Sequence, residues 1–379
     1  MKLRIFRSDL LKALQTVSRA LPTVTAIMEL TYLKLSVKGE RLQIAATDLR
    51  TYIATEIEAI VERPGEVLVS GQFFQEVVQA LQGYEEKRVI LEVQPNRRVS
   101  LTLEGETPRY DLSGRDADEY PAIELITPLS EFTVSGKLLK SALRFGIHAS
   151  AKSENTVQGF CGARITLEAS RLVVAAQDGW RLSESSRPAS FMVTSPVQWL
   201  LPLSVINDWM KLLPDTDLTI SSGDNKVLLK VSDTVYQTVL AEGNFMDYEG
   251  FFPEDMEDRY AELNRNQFMG HIKGIMPVAK DIGNRIALKL EASRLGMESF
   301  SDKLGEAWRE MPVTENLLED FTVALNAQYI TDCVGSMGSA GVRFFCEGEE
   351  MPVYFWPSEP ESEGYLDRAV IMSLTLRSA

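Results

Sequence analysis

Alternating apolar and polar residues fill most of the chain between a few longer amphipathic stretches. Apolar side chains recur at every second position in 42–46, 99–103 and 227–231. This period of two is typical of strands with one buried face. Clusters of turn-forming residues, such as 94–96 and 222–225, separate the strands. The pattern predicts short antiparallel hairpins.

Six stretches have the period of a helix instead. In the first, Leu10, Leu14 and Val17 form an apolar stripe. Ser8, Ser135 and Asn264 are the predicted N-caps of three helices, because their side chains can accept hydrogen bonds from free backbone N–H groups. We expect Pro277 to break the fifth helix. The predicted helices are 8–20, 71–83, 136–152, 203–213, 264–280 and 326–338.

The chain repeats itself at about one third of its length. LEASRL occurs at 167–172 and again at 290–295, and a weaker copy, LSVKGERL, occupies 35–42. A fixed period of this kind indicates diverged copies of one structural unit. Each copy would contain about two helices and eight strands, which predicts an α+β fold of three repeated domains. We expect the domains to be 1–126, 127–253 and 254–379.

Composition narrows the class of protein. Of 379 residues, 45% are hydrophobic and 25% are charged, which is ordinary for a globular protein and excludes a fibrous chain. The three cysteines, Cys161, Cys333 and Cys346, have no metal-type spacing and are too few for a disulfide framework. We expect a cytoplasmic protein with no membrane span and no cofactor or metal.

Charge is separated by type of element. The six predicted helices together carry a formal charge of +6. The strands and loops carry −21, and the two add up to the net charge of −15. Lys137, Lys140, Arg144 and His148 follow one stripe of the third predicted helix. If the helices of all repeats faced a common space, an acidic protein would have a basic lining suited to a polyanion.

Several motifs together resemble the bacterial DNA polymerase III beta subunit, the sliding clamp family. The motifs are AATDLR at 45–50, AAQDGWRL at 175–182, EGNFMDYEGFFP at 242–253, LNAQYI at 325–330 and RAVIMSLTL at 368–376. The resemblance covers essentially the whole chain. It implies a head-to-tail homodimer whose six domains close a ring around duplex DNA. Residues implied to face the DNA are Lys12, Arg19, Lys137, Lys140, Arg144, Lys152, Lys211 and Lys273.

The resemblance also implies a pocket for a short, partly apolar peptide between the second and third domains. The matching residues are Phe160, Gln177, Gly179, Trp180, Arg181, Leu182, Met246, Phe251, Val370, Met372 and Leu374. Trp180 replaces a smaller residue of the family pattern, and Met246 and Ser373 replace prolines. The implied partners are the catalytic subunit of DNA polymerase III, the clamp loader, and other polymerases and repair proteins that carry a clamp-binding peptide.

Edge strands of the first and third domains would form the implied dimer interface. Tyr110 and Leu112 match one side, and Ile275 and Val278 match the other. Pairing two edges removes unpaired backbone groups from solvent.

Two other functions remain open from the residues alone. An enzyme acting on an anionic polymer could use Asp48 and Asp178, which occupy equivalent repeat positions, although aspartate at such a position also forms turns after strands. Cys161 could be a nucleophile or a small buried residue. A scaffold that does not bind nucleic acid would use the three repeats for structure only. No phosphate-binding loop or nucleophile elbow is present, so we expect no catalysis.

Overall fold

The computed structural model describes residues 1–107, 109–151 and 161–375. Up to residue 135 the elements are β1 (Lys2–Phe6), α1 (Arg7–Val17), β2 (Tyr32–Lys38), β3 (Arg41–Thr47), β4 (Thr51–Glu58), β5 (Ile60–Arg63), β6 (Glu66–Ser70), α2 (Gly71–Ala80), β7 (Arg88–Val93), β8 (Arg98–Leu103), β9 (Arg109–Arg115) and β10 (Ser130–Ser135).

The middle of the chain contains α3 (Gly136–Gly146), β11 (Gly162–Leu167), β12 (Arg171–Gln177), β13 (Arg181–Pro188), β14 (Val197–Pro202), α4 (Leu203–Leu212), β15 (Asp217–Gly223), β16 (Lys226–Val231) and β17 (Thr234–Val239). The remainder contains β18 (Ala261–Asn264), α5 (Arg265–Ala279), β19 (Arg285–Glu291), β20 (Arg294–Ser301), β21 (Gly305–Pro312), β22 (Glu315–Asn316), β23 (Phe321–Asn326), α6 (Ala327–Ser336), β24 (Gly341–Cys346), β25 (Val353–Pro357) and β26 (Leu366–Ile371).

The chain divides into two compact units. Unit 1 is Met1–Gly136 with Lys211–Leu240, and unit 2 is Lys137–Met210 with the chain from Ala241 onward. Unit 1 contains a 13-stranded sheet in the order β10-β15-β16-β17-β4-β3-β2-β6-β9-β8-β7-β1-β5. Helix α1 buries its predicted apolar stripe, because Leu10, Leu14 and Val17 have no exposed surface. Burying each such side chain contributes about 2 kcal/mol.

Unit 2 contains two sheets. Their strand orders are β14-β11-β12-β13-β26-β25-β24-β18-β22 and β21-β20-β19-β23. Helix α5 places Phe268, Ile272 and Ile275 in a buried apolar cluster with Leu295 and Met297 of β20. Strand pairing in both units is antiparallel wherever the structure describes it, so the predicted α+β class is confirmed. The domain bounds at 126 and 253 stay predictions.

Some predicted helix ends were wrong. Helix α1 begins at Arg7, so Ser8 is not its cap, and the buried Arg7 guanidinium donates to the carbonyl oxygen of Val78 at 3.2 Å. Helix α3 ends at Gly146, a residue type favoured at helix C-termini. The cap at Asn264 is confirmed, because its side chain accepts from the Gln267 N–H at 3.0 Å.

Pro277 does not break α5, which continues to Ala279. Proline removes only one backbone donor from the helix. Ile275 and Ala279 are fully buried on either side of it, and their burial keeps the last turn helical.

Candidate functional site

The turn between β12 and β13 places Trp180 at its tip. The Asp178 carboxylate accepts hydrogen bonds from the backbone N–H groups of Trp180 at 3.0 Å and Arg181 at 3.1 Å. Gly179 has a φ of 88°, in the left-handed region that glycine adopts without steric cost. The side chain of Trp180 is consequently 56% exposed, whereas the next residue points into the protein.

Arg181 is buried in a cluster of charges. Its guanidinium donates to the carboxylates of Asp178 at 2.9 Å and Asp332 at 2.8 Å, and it lies 4.2 Å from the centre of the Tyr329 ring. A buried cation is stable only when it is paired in this way. Arg181 therefore holds the turn in place. No local signal in the sequence identifies Asp332 as its partner, because 151 positions separate the two residues.

His148 lies close to this cluster and is held uncharged. Its Nδ1 donates to the carbonyl oxygen of Phe145 at 2.7 Å, and within the described chain its Nε2 has no hydrogen-bond partner. Burial lowers the pKa of the imidazole to about 4, and the positive charge of Arg181 acts in the same direction. A neutral ring is therefore part of the folded state at pH 7.

Lowering the pH from 7 to 4.5 should destabilise unit 2 through His148. The pKa is about 4 in the folded chain and about 6.5 when unfolded, so the unfolded chain binds the extra proton as the pH falls. The loss in free energy of unfolding should be about 2 kcal/mol. Urea unfolding at both pH values measures it. The variant His148→Gln should lose less stability over this interval, and an equal loss in both proteins would contradict the assignment.

The C-terminal segment closes the site on one side. In the register of β13 with β26, Leu182 is opposite Val370. Beyond β26, the N–H of Met372 donates to the carbonyl oxygen of Trp180 at 2.8 Å, and the N–H of Leu374 donates to that of Ala324 at 2.7 Å. Residues 372–374 thus cross from the Trp180 turn to β23.

A buried apolar cluster underlies this segment. Leu182 and Val370 belong to it, together with Tyr248 and Phe252 of the loop after β17. The Arg164 guanidinium lies 4.6 Å from the ring centre of Phe245 and 5.1 Å from that of Tyr248, which fixes the loop. Each cation–π contact contributes about 0.5–1 kcal/mol. The predicted pocket residues Leu182 and Val370 are therefore buried, with 3% and 4% exposure, and form the floor of the site beneath the Trp180 turn.

Large apolar side chains remain exposed on the segments that this cluster anchors. The exposed fractions are 56% for Trp180, 41% for Met246, 45% for Phe251 and 39% for Met372. An apolar floor with an exposed apolar rim is the usual form of a groove for a short peptide. Gln177 is buried opposite Leu182, and neither of its amide atoms has a partner in the part of the chain that the structure describes. Phe160 lies outside the described residues.

Helix α3 carries the most basic exposed face. Lys137 and Arg144 are exposed, and Lys140 is half-buried on the same stripe. Arg144 forms an ion pair with Glu361 of the acidic loop 358–365. Elsewhere Lys12, Lys211 and Lys273 are exposed on α1, α4 and α5, Arg19 is partly exposed just after α1, and Lys152 lies outside the described residues. The six α-helices found among the described residues, with their observed ends, carry a formal charge of +4.

Known proteins share both the sequence pattern and the fold. The family models of the DNA polymerase III beta subunit match residues 1–124 with the N-terminal domain and 133–247 with the central domain. The beta sliding clamp of Bacillus subtilis is 25% identical, covering 93% of this chain and 94% of its own. That of Synechococcus elongatus is 24% identical and covers both chains completely.

The chain belongs to the bacterial DNA polymerase III beta subunit family.

Solved structures of the family have the same fold. The beta subunit from Pseudomonas aeruginosa superposes with a TM-score of 0.90 at 21% identity, covering 99% of this chain and all of that one. The sliding clamp from Bartonella birtlesii bound to griselimycin gives 0.91 at 21% identity, with the same coverage. The fold predicted from the repeats is therefore confirmed.

The beta subunit family consists of non-catalytic processivity factors, and the candidate catalytic aspartates have structural roles here. Asp48 accepts hydrogen bonds from the N–H groups of Arg50 and Thr51 in its own turn, as Asp178 does in the second repeat. Over 1–107, 109–151 and 161–375, no group of three or more His, Cys, Asp or Glu side chains could hold a metal ion. Among the helices in those ranges, none could cross a membrane.

The predicted interface residues differ in exposure. Tyr110 and Val278 are partly exposed, but Leu112 and Ile275 are buried, with 3% and 0% exposure. The side chain of Ile275 is enclosed in the core of unit 2, so its prediction as an interface contact was wrong. Leu112 likewise packs inside unit 1 and supports its strand.

Proposed function

We propose that the protein is a sliding clamp, which encircles duplex DNA and gives a DNA polymerase processivity. The observation that supports this most directly is the separation of charge in a member of this family. The helices carry +4 while the rest of the chain carries −19. A uniformly acidic surface would repel DNA, whereas basic helices facing a closed hole would attract the phosphates only there.

The basic side chains would act together and without reading base sequence. Contacts to phosphates position a protein on DNA but carry no sequence information. Lys12, Arg19, Lys137, Lys140, Arg144, Lys152, Lys211 and Lys273 are the proposed set. Because the ring holds DNA topologically, weak and exchangeable phosphate contacts suffice and let the clamp slide.

The proposed ring is a head-to-tail homodimer with domains at 1–126, 127–253 and 254–379 in each chain. Two free strand edges support it. Among the described residues, strand β9 pairs with β8 along 109–113 but with β6 only at 114–115, and β21 is the last strand of its sheet. Exposed Phe300, Leu304 and Trp308 accompany the second edge. Pairing β9 with a partner's β21 would cover both edges and close the ring.

The groove beside Trp180 is the proposed docking site for partner peptides. Its apolar rim would hold the aliphatic or aromatic side chains of an extended segment, and the unpartnered amide of Gln177 could bond to the peptide backbone. Exposed Met246 and Met372 have flexible side chains that can repack around different ligands. The proposed partners are the polymerase III catalytic subunit, the clamp loader, and other polymerases and repair proteins, all in the cytoplasm.

Retention on nicked circular DNA tests the proposal. The protein is loaded with a clamp loader, and gel filtration separates DNA-bound from free protein before and after the circle is cut once. A clamp should remain on the circle and leave the linear DNA by sliding off its ends, unless the ends are blocked. Equal retention on circular and open linear DNA would reject topological binding. Degradation of the DNA by the pure protein would support the rival enzyme.

A further inference from the structure

Unit 1 contains a second turn with the geometry of the Trp180 turn. Asp48 accepts from the N–H groups of Arg50 at 2.9 Å and Thr51 at 2.6 Å, as Asp178 does from the two residues at equivalent positions. Leu49 has a φ of 74°, close to the 88° of Gly179. The N–H of Asp48 donates to the carbonyl oxygen of Thr51 at 3.2 Å, and the equivalent bond in unit 2 has the same length.

The strand that closes the turn is equivalent too. Strand β17 pairs with β4 as β26 pairs with β13. At the last residue of β17, the N–H of Val239 donates to the carbonyl oxygen of Arg50 at 3.0 Å, as the N–H of Met372 donates to that of Trp180 just past β26. Ile123 follows the buried Tyr120 by three positions, just as Phe251 follows the buried Tyr248. The structural frame of the peptide groove is thus present twice.

The second frame encloses a cavity of different chemistry. Its volume is about 350 Å³, and Leu49, Tyr52 and Ile123 give it an apolar part. Arg50 and Lys226 add two cations against the single carboxylate of Glu124. Among the residues that the structure describes, neither cation has a carboxylate within ion-pair distance. The cavity is therefore locally positive in an acidic chain.

One wall of the cavity is fixed in advance. Buried Gln237 accepts a hydrogen bond from the N–H of Ile126 at 2.7 Å and donates to the carbonyl oxygen of Glu124 at 3.1 Å. These bonds hold segment 122–126 against β17. A wall that is already ordered lowers the entropic cost of binding a ligand.

We propose that this cavity is a second peptide site, which binds an extended segment with an aliphatic side chain flanked by carboxylates. The aliphatic group would pack against Leu49 and Ile123, and the carboxylates would pair with Arg50 and Lys226. Leu49 supports this role, because it is 51% exposed in a backbone conformation that costs a non-glycine residue energy. The inference rests on the proposed function, since the equivalent groove is itself a proposed peptide site.

The test uses the full-length protein with ¹³C-labelled isoleucine and leucine methyl groups. The probe is acetyl-Gly-Asp-Leu-Asp-Gly-amide, and its uncharged counterpart has asparagine in place of both aspartates. The acidic probe should produce saturable shifts at the methyl groups of Leu49 and Ile123. The double variant Arg50→Gln/Lys226→Gln should weaken its binding about tenfold, because it removes both cation–carboxylate contacts and each solvent-accessible pair contributes less than about fivefold in affinity.

Matched controls separate the possible results. Lys38→Gln/Lys230→Gln removes the same charge from exposed positions of unit 1 outside the cavity and should leave binding unchanged. No saturable shift, equal binding of both probes, or shifts only at Leu182 and Leu374 of the other groove would overturn the second site. Retention of Arg50→Gln/Lys226→Gln on circular DNA should equal that of the wild type. Failure of the wild type to be retained would instead reject the clamp.

Discussion

Replacing Lys137, Lys140 and Arg144 with glutamate is expected to lower retention on nicked circular DNA about tenfold at 0.1 M salt, while the proposed dimer stays intact. The three side chains lie on one face of α3, so the change reverses the charge of the most basic helix. Each lost phosphate contact also lowers the salt dependence of binding. Retention at several salt concentrations measures the effect, and sedimentation measures the dimer.

A matched variant shows whether position or net charge matters. Lys38, Arg63 and Lys230 are exposed on strands away from the proposed interface strand β9, and replacing them with glutamate changes the net charge by the same amount. Retention of this variant should stay near that of the wild type. In the opposite direction, Glu361→Gln removes the partner of Arg144 and should strengthen retention. Equal losses in the two triple variants would contradict a basic lining on the helices.

Ending the chain at Ile371 is expected to weaken binding of a peptide from the polymerase catalytic subunit about 100-fold. The truncation removes Met372 and Leu374, and with them the two hydrogen bonds that hold the segment against Trp180 and Ala324. Strand β26 remains complete, so the sheet of unit 2 keeps its pairing. Titration calorimetry measures the affinity.

A chain that ends at Thr375 is the matched control, because it keeps both hydrogen bonds. It should bind the peptide as the full-length protein does. The chain that ends at Ile371 should also be loaded less well onto circular DNA, because the clamp loader is proposed to bind in the same groove, whereas the chain that ends at Thr375 should be loaded as the full-length protein is. Undiminished peptide binding by the chain that ends at Ile371 would show that residues 372–374 do not form part of the groove.

Much of the fold could be predicted because the repeats and periodicities are local. The cap at Asn264 and the buried stripe of Leu10, Leu14 and Val17 follow from a few neighbouring residues. The helix past Pro277 could not be predicted in this way. Its last turn depends on the burial of Ile275 and Ala279 by elements distant in sequence.

The candidate site was predicted only in part for the same reason. The Trp180 turn is encoded by Asp178 and Gly179 beside it, so its conformation is a local property. The inward direction of the Arg181 side chain is not a local property, because its partner Asp332 lies on α6, 151 positions later in the chain. The AATDLR motif at 45–50 encodes the turn of the second cavity but not its other walls, because these come from 122–124, Lys226 and Gln237.

The sequence by itself determined the α+β class, the repeated elements and the excess of positive charge on the helices, since periodicity, turn chemistry and charge are properties of neighbouring residues. Only the tertiary structure decided which predicted residues are exposed. Leu182 and Val370 are buried beneath the groove, and Ile275 is buried in the core of unit 2. Trp180 and Met372 are exposed. Burial depends on contacts between segments far apart in the chain, and a local pattern does not specify those contacts.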